Sequence, residues 1–281
     1  MKRLLVCIDG SQYGQSCCGY AGWISSKLDV EIEVVYFTDL RQFEVPFVAD
    51  LSGSLGLQPF QSVMGQLQEL EKEKSEVILA QAASQLKESG YSNPVKKTHK
   101  TGFLVDSLKE LEEGTDMIIV GKRGENANFA TEHLGSTMER MARAATKPSF
   151  VASREFKEVS RALISYDDGP SCRKAVDFVA ESGMFSEAEI HLVTVSPNEE
   201  EEGSLKGLKN AEAILADSGR SLTCQMLHGE AAPTVIDYVN AKEINLLVMG
   251  AYGHNRIRQL ILGSSTTELL QGCQIPTLLF R

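Results

Sequence analysis

The chain repeats itself, and this internal repeat constrains the fold more than any other feature of the sequence. An apolar run that ends in an acid and turn-forming residues occupies 4–11, and a similar run occupies 162–169. Each half also contains a Gly-Ser pair, and thirteen residues after that glycine comes a proline with a short apolar run; these glycine and proline pairs are Gly135–Pro148 and Gly263–Pro276. Self-similarity at fixed spacing indicates two copies of one structural unit.

Each copy alternates buried strands with helices. Apolar runs closed by turn residues predict strands, and longer segments with helical periodicity predict helices. The predicted strands are near 3–8, 31–37, 95–100, 116–121, 149–152, 161–166, 188–195, 221–228, 245–250 and 276–280. The predicted helices are near 12–27, 61–89, 103–113, 135–145, 171–182, 203–217, 231–243 and 263–272. This alternation predicts an α/β fold in which helices cover both faces of a parallel sheet.

The two copies differ in length mainly in one segment. From Asp9 to Gly102 the first copy spans 93 residues, whereas the second spans 62 from Asp167 to Gly229, which leaves about 31 extra residues (93 − 62) in the first. We place this insert after the second strand, at about 40–75. The expected domains are therefore 1–153 and 159–281, joined by a short charged linker.

The charge of the chain limits the ligands that it can bind. It has 28 Lys and Arg against 38 Asp and Glu, a formal net charge of −10. This balance argues against a nucleic-acid binder, because neutralising phosphates along a strand needs a basic face. A small anionic ligand remains compatible with the sequence, since backbone amide groups can hold a phosphate without net positive charge.

Two further patterns point to the cytoplasm. No apolar run approaches the roughly 18 residues that span a bilayer, and the first run, 4–8, is shorter than the core of a signal peptide. None of the six cysteines belongs to a C-x-x-C pair, so we expect reduced and mostly buried thiols, with no zinc site and no membrane contact.

The candidate chemistry lies where the strands end. In sheets of this kind ligands bind outside the carboxyl ends of the strands, at the switch in strand order. Each copy has an acid after its first strand and a Gly-x-x-Gly motif after its fourth, and these residues are Asp9, Gly121 and Gly124 in one copy and Asp167, Gly250 and Gly253 in the other. The two aspartates have a competing role as turn-forming residues that bond nearby amides.

A second element of each candidate site is the start of the last helix. Gly263, Ser264 and Ser265 open that helix in the second copy, as Gly135, Ser136 and Thr137 do in the first. The amide groups of a first helical turn have no partner within the helix and lie at its positive end. The sequence therefore predicts an anion site that needs no Walker lysine.

Together these motifs resemble those of the universal stress proteins, and in particular their ATP-binding branch, whose signature is Gly-x-x-Gly-x9-Gly-Ser/Thr. The second copy fits the signature without a gap, whereas the spacer of the first copy is one residue longer. The resemblance covers nearly all of the chain outside 40–75. It implies two tandem Rossmann-like domains of the adenine nucleotide alpha hydrolase type, each with five parallel strands. It also implies ATP binding, with or without Mg²⁺, and a role in stress resistance rather than an established catalytic reaction.

The resemblance also assigns residues to the nucleotide. In the second copy they are Asp167, Val195, Gly250, Gly253, His254, Gly263, Ser264 and Ser265. In the first copy they are Asp9, Phe37, Gly121, Gly124, Gly135, Ser136 and Thr137. Val195 ends the second strand and would offer its backbone to adenine.

The spacers of the two signatures differ in charge. The first contains Glu125 and Glu132, whereas the second contains His254 and two arginines and no acid. Because a like charge near phosphate is unfavourable, we expect the second copy to be the better ATP site and the first to be weak, empty or altered.

Two other functions remain open at this stage. The same scaffold could support slow ATP hydrolysis, although the sequence offers no identifiable base or metal ligand beyond Asp167. Alternatively the sites could be degenerate and the insert could bind a protein partner. By analogy with the homodimers of the family, the two halves are expected to pack as a pseudo-dimer through the strands 149–152 and 276–280, and two chains could associate further.

Overall fold

The computed structural model describes residues 1–39, 59–102, 104–124, 134–197, 202–251 and 263–281. Within these ranges ten strands alternate with eight α-helices. The first half contains β1 (Arg3–Ile8), α1 (Gln12–Lys27), β2 (Glu31–Asp39), α2 (Pro59–Glu88), β3 (Lys96–Gly102), α3 (Leu104–Leu111), β4 (Met117–Gly121), α4 (Ser136–Ala144) and β5 (Ser149–Ala152). The second contains β6 (Arg161–Ser165), α5 (Pro170–Glu181), a short 3₁₀ helix (Gly183–Phe185), β7 (Glu189–Ser196), α6 (Glu202–Ala216), β8 (Leu222–His228), α7 (Ala231–Ala241), β9 (Leu246–Gly250), α8 (Ser264–Gly272) and β10 (Thr277–Phe280).

Every strand and helix predicted from the sequence is confirmed, with small shifts at the ends. The strand predicted to end at Phe37 continues to Asp39, and the helix predicted from 61 begins at Pro59. Proline suits the first position of a helix because its missing N–H would have no helical partner there. Of the predicted insert, 59–75 belongs to α2, and 40–58 lies outside the described residues.

All ten strands form a single sheet, in the order β3-β2-β1-β4-β5-β10-β9-β6-β7-β8. Neighbouring strands are parallel within each half. The join is different, because β5 and β10 pair antiparallel, with Phe150 opposite Leu278. Each half therefore keeps its five parallel strands, while the carboxyl ends of the two sets of strands lie at opposite edges of the sheet.

Both faces of the sheet are packed against apolar side chains of the helices. Alternate residues of β1 point to opposite faces, so Leu4 joins one buried cluster and Leu5 the other. Helices α1, α2, α5 and α6 contribute to the first cluster, and α3, α4, α7 and α8 contribute to the second. Each cluster contains residues of both halves, so the two copies share their hydrophobic core rather than meeting at a polar boundary.

Two cations cross the join and bond the ends of helices in the opposite half. The amine of Lys122 donates hydrogen bonds to the carbonyls of Cys273 (2.6 Å) and Ile275 (3.2 Å), just after α8. Arg281 donates from Nη1 to the carbonyl of Arg143 (2.7 Å), at the end of α4. The last carbonyls of a helix have no helical partner and favour a positive charge. Each half thus caps one helix of the other.

No helix among the described residues combines the length and the apolar character needed to cross a bilayer.

The buried amine gives the stability a pH dependence. Burial lowers the pKa of Lys122 from 10.5 to about 8. Between these two values the unfolded chain binds more protons than the folded one, so the lysine's contribution to the free energy of unfolding rises with pH. We expect the stability of the wild type relative to Lys122→Met to increase from pH 8 towards pH 10.5, as measured by denaturant unfolding.

Lys122→Arg is the matched control, because a guanidinium stays charged throughout this range. Its stability relative to Lys122→Met should be flat across the same pH values. A flat difference for the wild type as well would show that the amine is not desolvated in the folded protein.

Candidate functional site

Each half has a crevice at the switch in its strand order. The connection from β1 leads to β2 on one side, while β4 lies on the other side of β1, and the second half repeats this arrangement around β6. Such a switch opens a crevice at the carboxyl ends of the two central strands. Asp9 follows β1 and Gly121 ends β4, and their counterparts Asp167 and Gly250 occupy the same places in the second half.

In the first crevice the predicted residues come together. Oδ1 of Asp9 accepts hydrogen bonds from the amide (3.0 Å) and the hydroxyl (2.6 Å) of Ser11, which is the cap residue of α1. A Cβ atom on Gly124 would lie 2.8 Å from Oδ2 of the same aspartate, so the loop after β4 passes directly over the carboxylate. The amide of Gly135 donates to the carbonyl of Lys122 at 3.0 Å. The turn-forming role of Asp9 therefore coexists with its position in the crevice.

The second crevice has the same turn with a different residue in it. Oδ1 of Asp167 accepts a hydrogen bond from the amide of Gly169 at 2.8 Å. Asp168 adopts a left-handed backbone with φ 59°, where the first half has Gly10 with φ 84°. The carboxylate of Asp168 accepts from the Tyr166 hydroxyl at 2.7 Å, and burial together with this contact raises the pKa of Tyr166. Aspartate tolerates this conformation better than most residues, and local hydrogen bonds hold it there.

Glycine lets the fourth strand of each half come close to its first helix. A Cβ atom on Gly250 would lie 3.0 Å from Cβ of Ser171 and 3.1 Å from Sγ of Cys172, both in α5. A Cβ atom on Gly121 would lie 2.7 Å from Cβ of Tyr13 in α1. A Cβ atom would clash at Gly121 and would force α5 to shift by a few tenths of an ångström at Gly250, so both glycines bring the end of the strand close to the start of the helix.

The helix starts of both halves face the crevices with a polar first turn. Gly263 and Gly135 are the cap residues of α8 and α4, and neither helix start has a side-chain cap bond within the described part of the chain. Ser264 and Ser265 are exposed. The hydroxyl of Thr266 donates to the carbonyl of Ala251 at 3.2 Å, which holds the start of α8 against the end of β9. The exposed hydroxyls of Ser264 and Ser265 can donate to a ligand.

A cavity of about 590 Å³ opens beside this helix start in the second half. It lies between the end of β7, the junction of β8 with α7, and the first turns of α8. Its lining consists of Val195, Pro197, Gly229, Glu230, Ala231, Ala232, Pro233, Ser265 and Glu268. The volume falls in the range that small-molecule ligands occupy in proteins.

The cavity includes only part of the predicted set. Val195 and Ser265 line it, whereas Asp167, just after β6, and Gly250, at the end of the neighbouring β9, do not. Gly253 and His254 lie outside the described residues. In the first half Phe37 is half-buried on β2, while Ser136 and Thr137 are exposed at the start of α4.

Sequence reasoning missed the other residues of the wall. Glu268 lies three positions after Ser265, so helical spacing could have placed it on the same face. Pro197 lies two residues after Val195 and could have been found by strand alternation. No pattern in the sequence singled out Glu230 or the small residues of α7.

The wall of the cavity divides into two kinds of surface. Val195, Pro197 and the alanines of α7 are apolar, and Glu230 and Glu268 are acidic. An apolar plate with a few polar groups suits a flat organic ligand, and the carboxylates accept hydrogen bonds from amines or hydroxyls. The described residues contain no group of three or more His, Cys, Asp or Glu arranged to hold a metal ion.

Comparison with known proteins follows the division of the chain into two copies. The model of the universal stress protein family matches twice, over residues 1–153 and 158–281. Universal stress protein Slr1230 of Synechocystis sp. is 39% identical over 288 aligned residues, which cover 100% of both chains.

Solved structures agree in fold. A universal stress protein from Archaeoglobus fulgidus superposes with a TM-score of 0.74 at 19% identity, covering 99% of this chain and 97% of that one. A putative universal stress protein from Pseudomonas aeruginosa superposes with a TM-score of 0.62 at 16% identity, covering 99% and 92%. With two matches to the family model and a relative of 39% identity along its full length, this chain belongs to the universal stress protein family.

Proposed function

We propose that the protein binds an adenine nucleotide, ATP in the first instance, in its second half and acts as a regulatory or stress-resistance factor. The observation that supports this most directly is the cavity of about 590 Å³ bounded by Val195 and Ser265. One residue belongs to the strand end expected to meet adenine, and the other belongs to the helix start expected to meet ribose and phosphate. Nucleotide binding thus needs no rearrangement of the strands to bring these two groups together.

The charges of the wall favour one orientation of the ligand. Glu230 and Glu268 would repel a phosphate in the cavity, whereas they can accept hydrogen bonds from an amine or a ribose hydroxyl. The base and ribose would therefore occupy the cavity. The phosphates would extend towards the amide groups that follow Gly263, where the positive end of α8 favours them. If Mg²⁺ accompanies ATP, Asp167 is the carboxylate of the predicted set that would hold it.

The energetics assign most of the affinity to the base and ribose. One charge contact at an exposed helix end contributes about 0.3–1 kcal/mol. Micromolar affinity needs about 8 kcal/mol, so the helix start alone cannot supply it. Burial of the base against the apolar plate and the hydrogen bonds of the sugar must supply the rest.

Further parts of the proposal concern organisation. We propose domains at 1–153 and 159–281 that pack as a pseudo-dimer, which the antiparallel pairing of β5 with β10 supports. We also propose a cytoplasmic location. All six cysteines are unpaired, and four of them are buried, which suits a reducing compartment.

Native mass spectrometry of the freshly purified full-length protein tests the function. Intact ATP on the protein, with no phosphate release over hours, supports a nucleotide-binding regulator, and the same spectrum counts the chains in the assembly. Bound ADP with steady phosphate release would replace the regulator with an ATP-cleaving enzyme. An empty protein without calorimetric affinity for ATP, ADP or AMP would overturn the proposal in favour of an interaction protein with degenerate sites.

A tryptophan in the cavity tests its position. Ala231 is exposed at the first residue of α7 and lines the cavity, so Ala231→Trp should fill the space at little cost in stability. We expect ATP binding to weaken at least about tenfold, equivalent to roughly 1.4 kcal/mol, in isothermal titration calorimetry. Leu104→Trp, at the corresponding first residue of α3, is the matched control and should leave this affinity unchanged. The opposite pattern would move the principal site to the first half.

The ranking of the two signatures is tested at their second glycines. Gly253→Glu should abolish most ATP binding, because it adds bulk and negative charge to the motif expected to meet the phosphates. Gly124→Glu should have little effect on the principal site. If calorimetry showed that Gly124→Glu removed binding and Gly253→Glu did not, the order of the two sites would be reversed.

A further inference from the structure

The two halves differ at two positions that face each other across the site. Thr101 in β3 and His228 in β8 occupy equivalent positions in the two halves. The residue that pairs with Thr101 is followed by Asp39, at the end of β2, and the residue that pairs with His228 is followed by Pro197, after β7. The strand registers therefore align Asp39 with Pro197. The matching glycine caps of α4 and α8 align Arg140 with Glu268. In the second half both positions line the cavity.

In the first half the same two positions are joined by an ion pair. Nη1 of Arg140 lies 3.3 Å from Oδ2 of Asp39. The Asp39 side chain is 16% exposed and that of Arg140 is 38% exposed, so the bridge is partly sheltered from solvent. It connects the end of the second strand to the second turn of the last helix, which are the two elements that the second-half cavity separates.

The neighbouring wall residue also differs in size. Val195, at the end of the second-half strand, corresponds to Phe37 in the first half. A phenylalanine takes up space that a valine leaves open. The larger ring and the ion pair therefore both reduce the space available to a ligand in the first half.

We propose that the Asp39–Arg140 ion pair closes the first-half counterpart of the cavity, so that one chain binds a single nucleotide. This inference rests on the proposed nucleotide site of the second half and explains why the two copies are unequal. The arginine cannot serve as a free phosphate ligand while Asp39 neutralises it, and the aspartate itself repels phosphate. A nucleotide entering the first half would have to break the bridge and displace both side chains.

The free energy of the ion pair indicates how much it can weaken nucleotide binding in the first half. A partly exposed ion pair is worth up to about 1 kcal/mol, which corresponds to about fivefold in affinity. The space occupied by the two side chains adds to this factor. The ion pair thus supplies at most about fivefold, and with the space that the two side chains occupy we expect removal of the bridge to strengthen first-half binding by about fivefold or more.

Two double variants test the proposal from opposite directions. Asp39→Ala with Arg140→Ala removes the bridge and should tighten first-half ATP binding by about fivefold or more, so that calorimetry resolves a second site per chain. Pro197→Asp with Glu268→Arg installs the corresponding pair in the second half and should weaken binding there by more than about fivefold. Thermal unfolding of each variant verifies that the fold is retained.

Combining the bridge-free variant with a tryptophan substitution shows which half contains the second ATP site. Adding Leu104→Trp to the bridge-free variant should remove the second binding event, whereas adding Ala231→Trp should remove the first. A folded bridge-free variant that still binds one ATP with unchanged affinity would overturn the inference. So would a single Arg140→Ala variant that loses binding, because the arginine would then be a ligand of the phosphates.

The outcomes also separate this inference from the proposed function. A wild-type protein that binds no nucleotide contradicts the proposed function alone. If the bridge-free variant of that protein then bound one ATP, sensitive to Leu104→Trp, the ion pair would still be identified as the block.

Discussion

The antiparallel pairing of β5 with β10 is the constraint on which the rest of the structure depends. Three residue pairs at this join, centred on Phe150 and Leu278, turn two parallel sheets into one. Because the strand direction reverses at the join, the two crevices lie at opposite edges, and ligands on the two halves would not compete for space. Because the sheet is continuous, each of the two buried hydrophobic clusters contains residues of both halves. The linker between the halves also packs against the first half. The centroid of the Phe156 ring lies 5.0 Å from that of Tyr20, and a Cβ atom on Gly19 would lie 2.8 Å from the Phe156 ring.

The strands and helices could be predicted from the sequence because each is encoded by a pattern of neighbouring residues. The first and fourth strands of each half are apolar runs closed by an acid or a glycine, and the repetition of these runs excluded most alternative divisions of the chain. The last strands, led by Pro148 and Pro276, were recognisable as elements. Their mutual register depends on side chains of both faces, which periodicity alone does not relate to each other.

The candidate site was predictable only where a backbone requirement leaves a mark on residue type. Gly121 and Gly250 could be found because close contact with the first helix disfavours a side chain there. The residues that line the cavity could not be recognised by type. Ala232 and Glu268 are good helix formers, so their presence in helices is expected whether or not they contact a ligand. Lys122 was missed for a related reason. Its two acceptors, the carbonyls of Cys273 and Ile275, are some 150 residues away, and backbone carbonyls have no residue type to be recognised by.

Helix α8 connects the candidate site to the other half of the molecule. Its first turn borders the cavity at Ser265, and two carbonyls just after its last residue accept hydrogen bonds from Lys122, which follows Gly121 in the opposite crevice. At 1.5 Å per residue, a helix of nine residues spans about 13 Å between these two ends. A negative ligand charge at the start of α8 and a cation near its end each interact favourably with the helix dipole. Any movement of α8 on binding must either take Lys122 with it or break two hydrogen bonds to a buried amine. A nucleotide that moved α8 away from Lys122 would therefore have to supply the free energy of those bonds through its preference for the moved state.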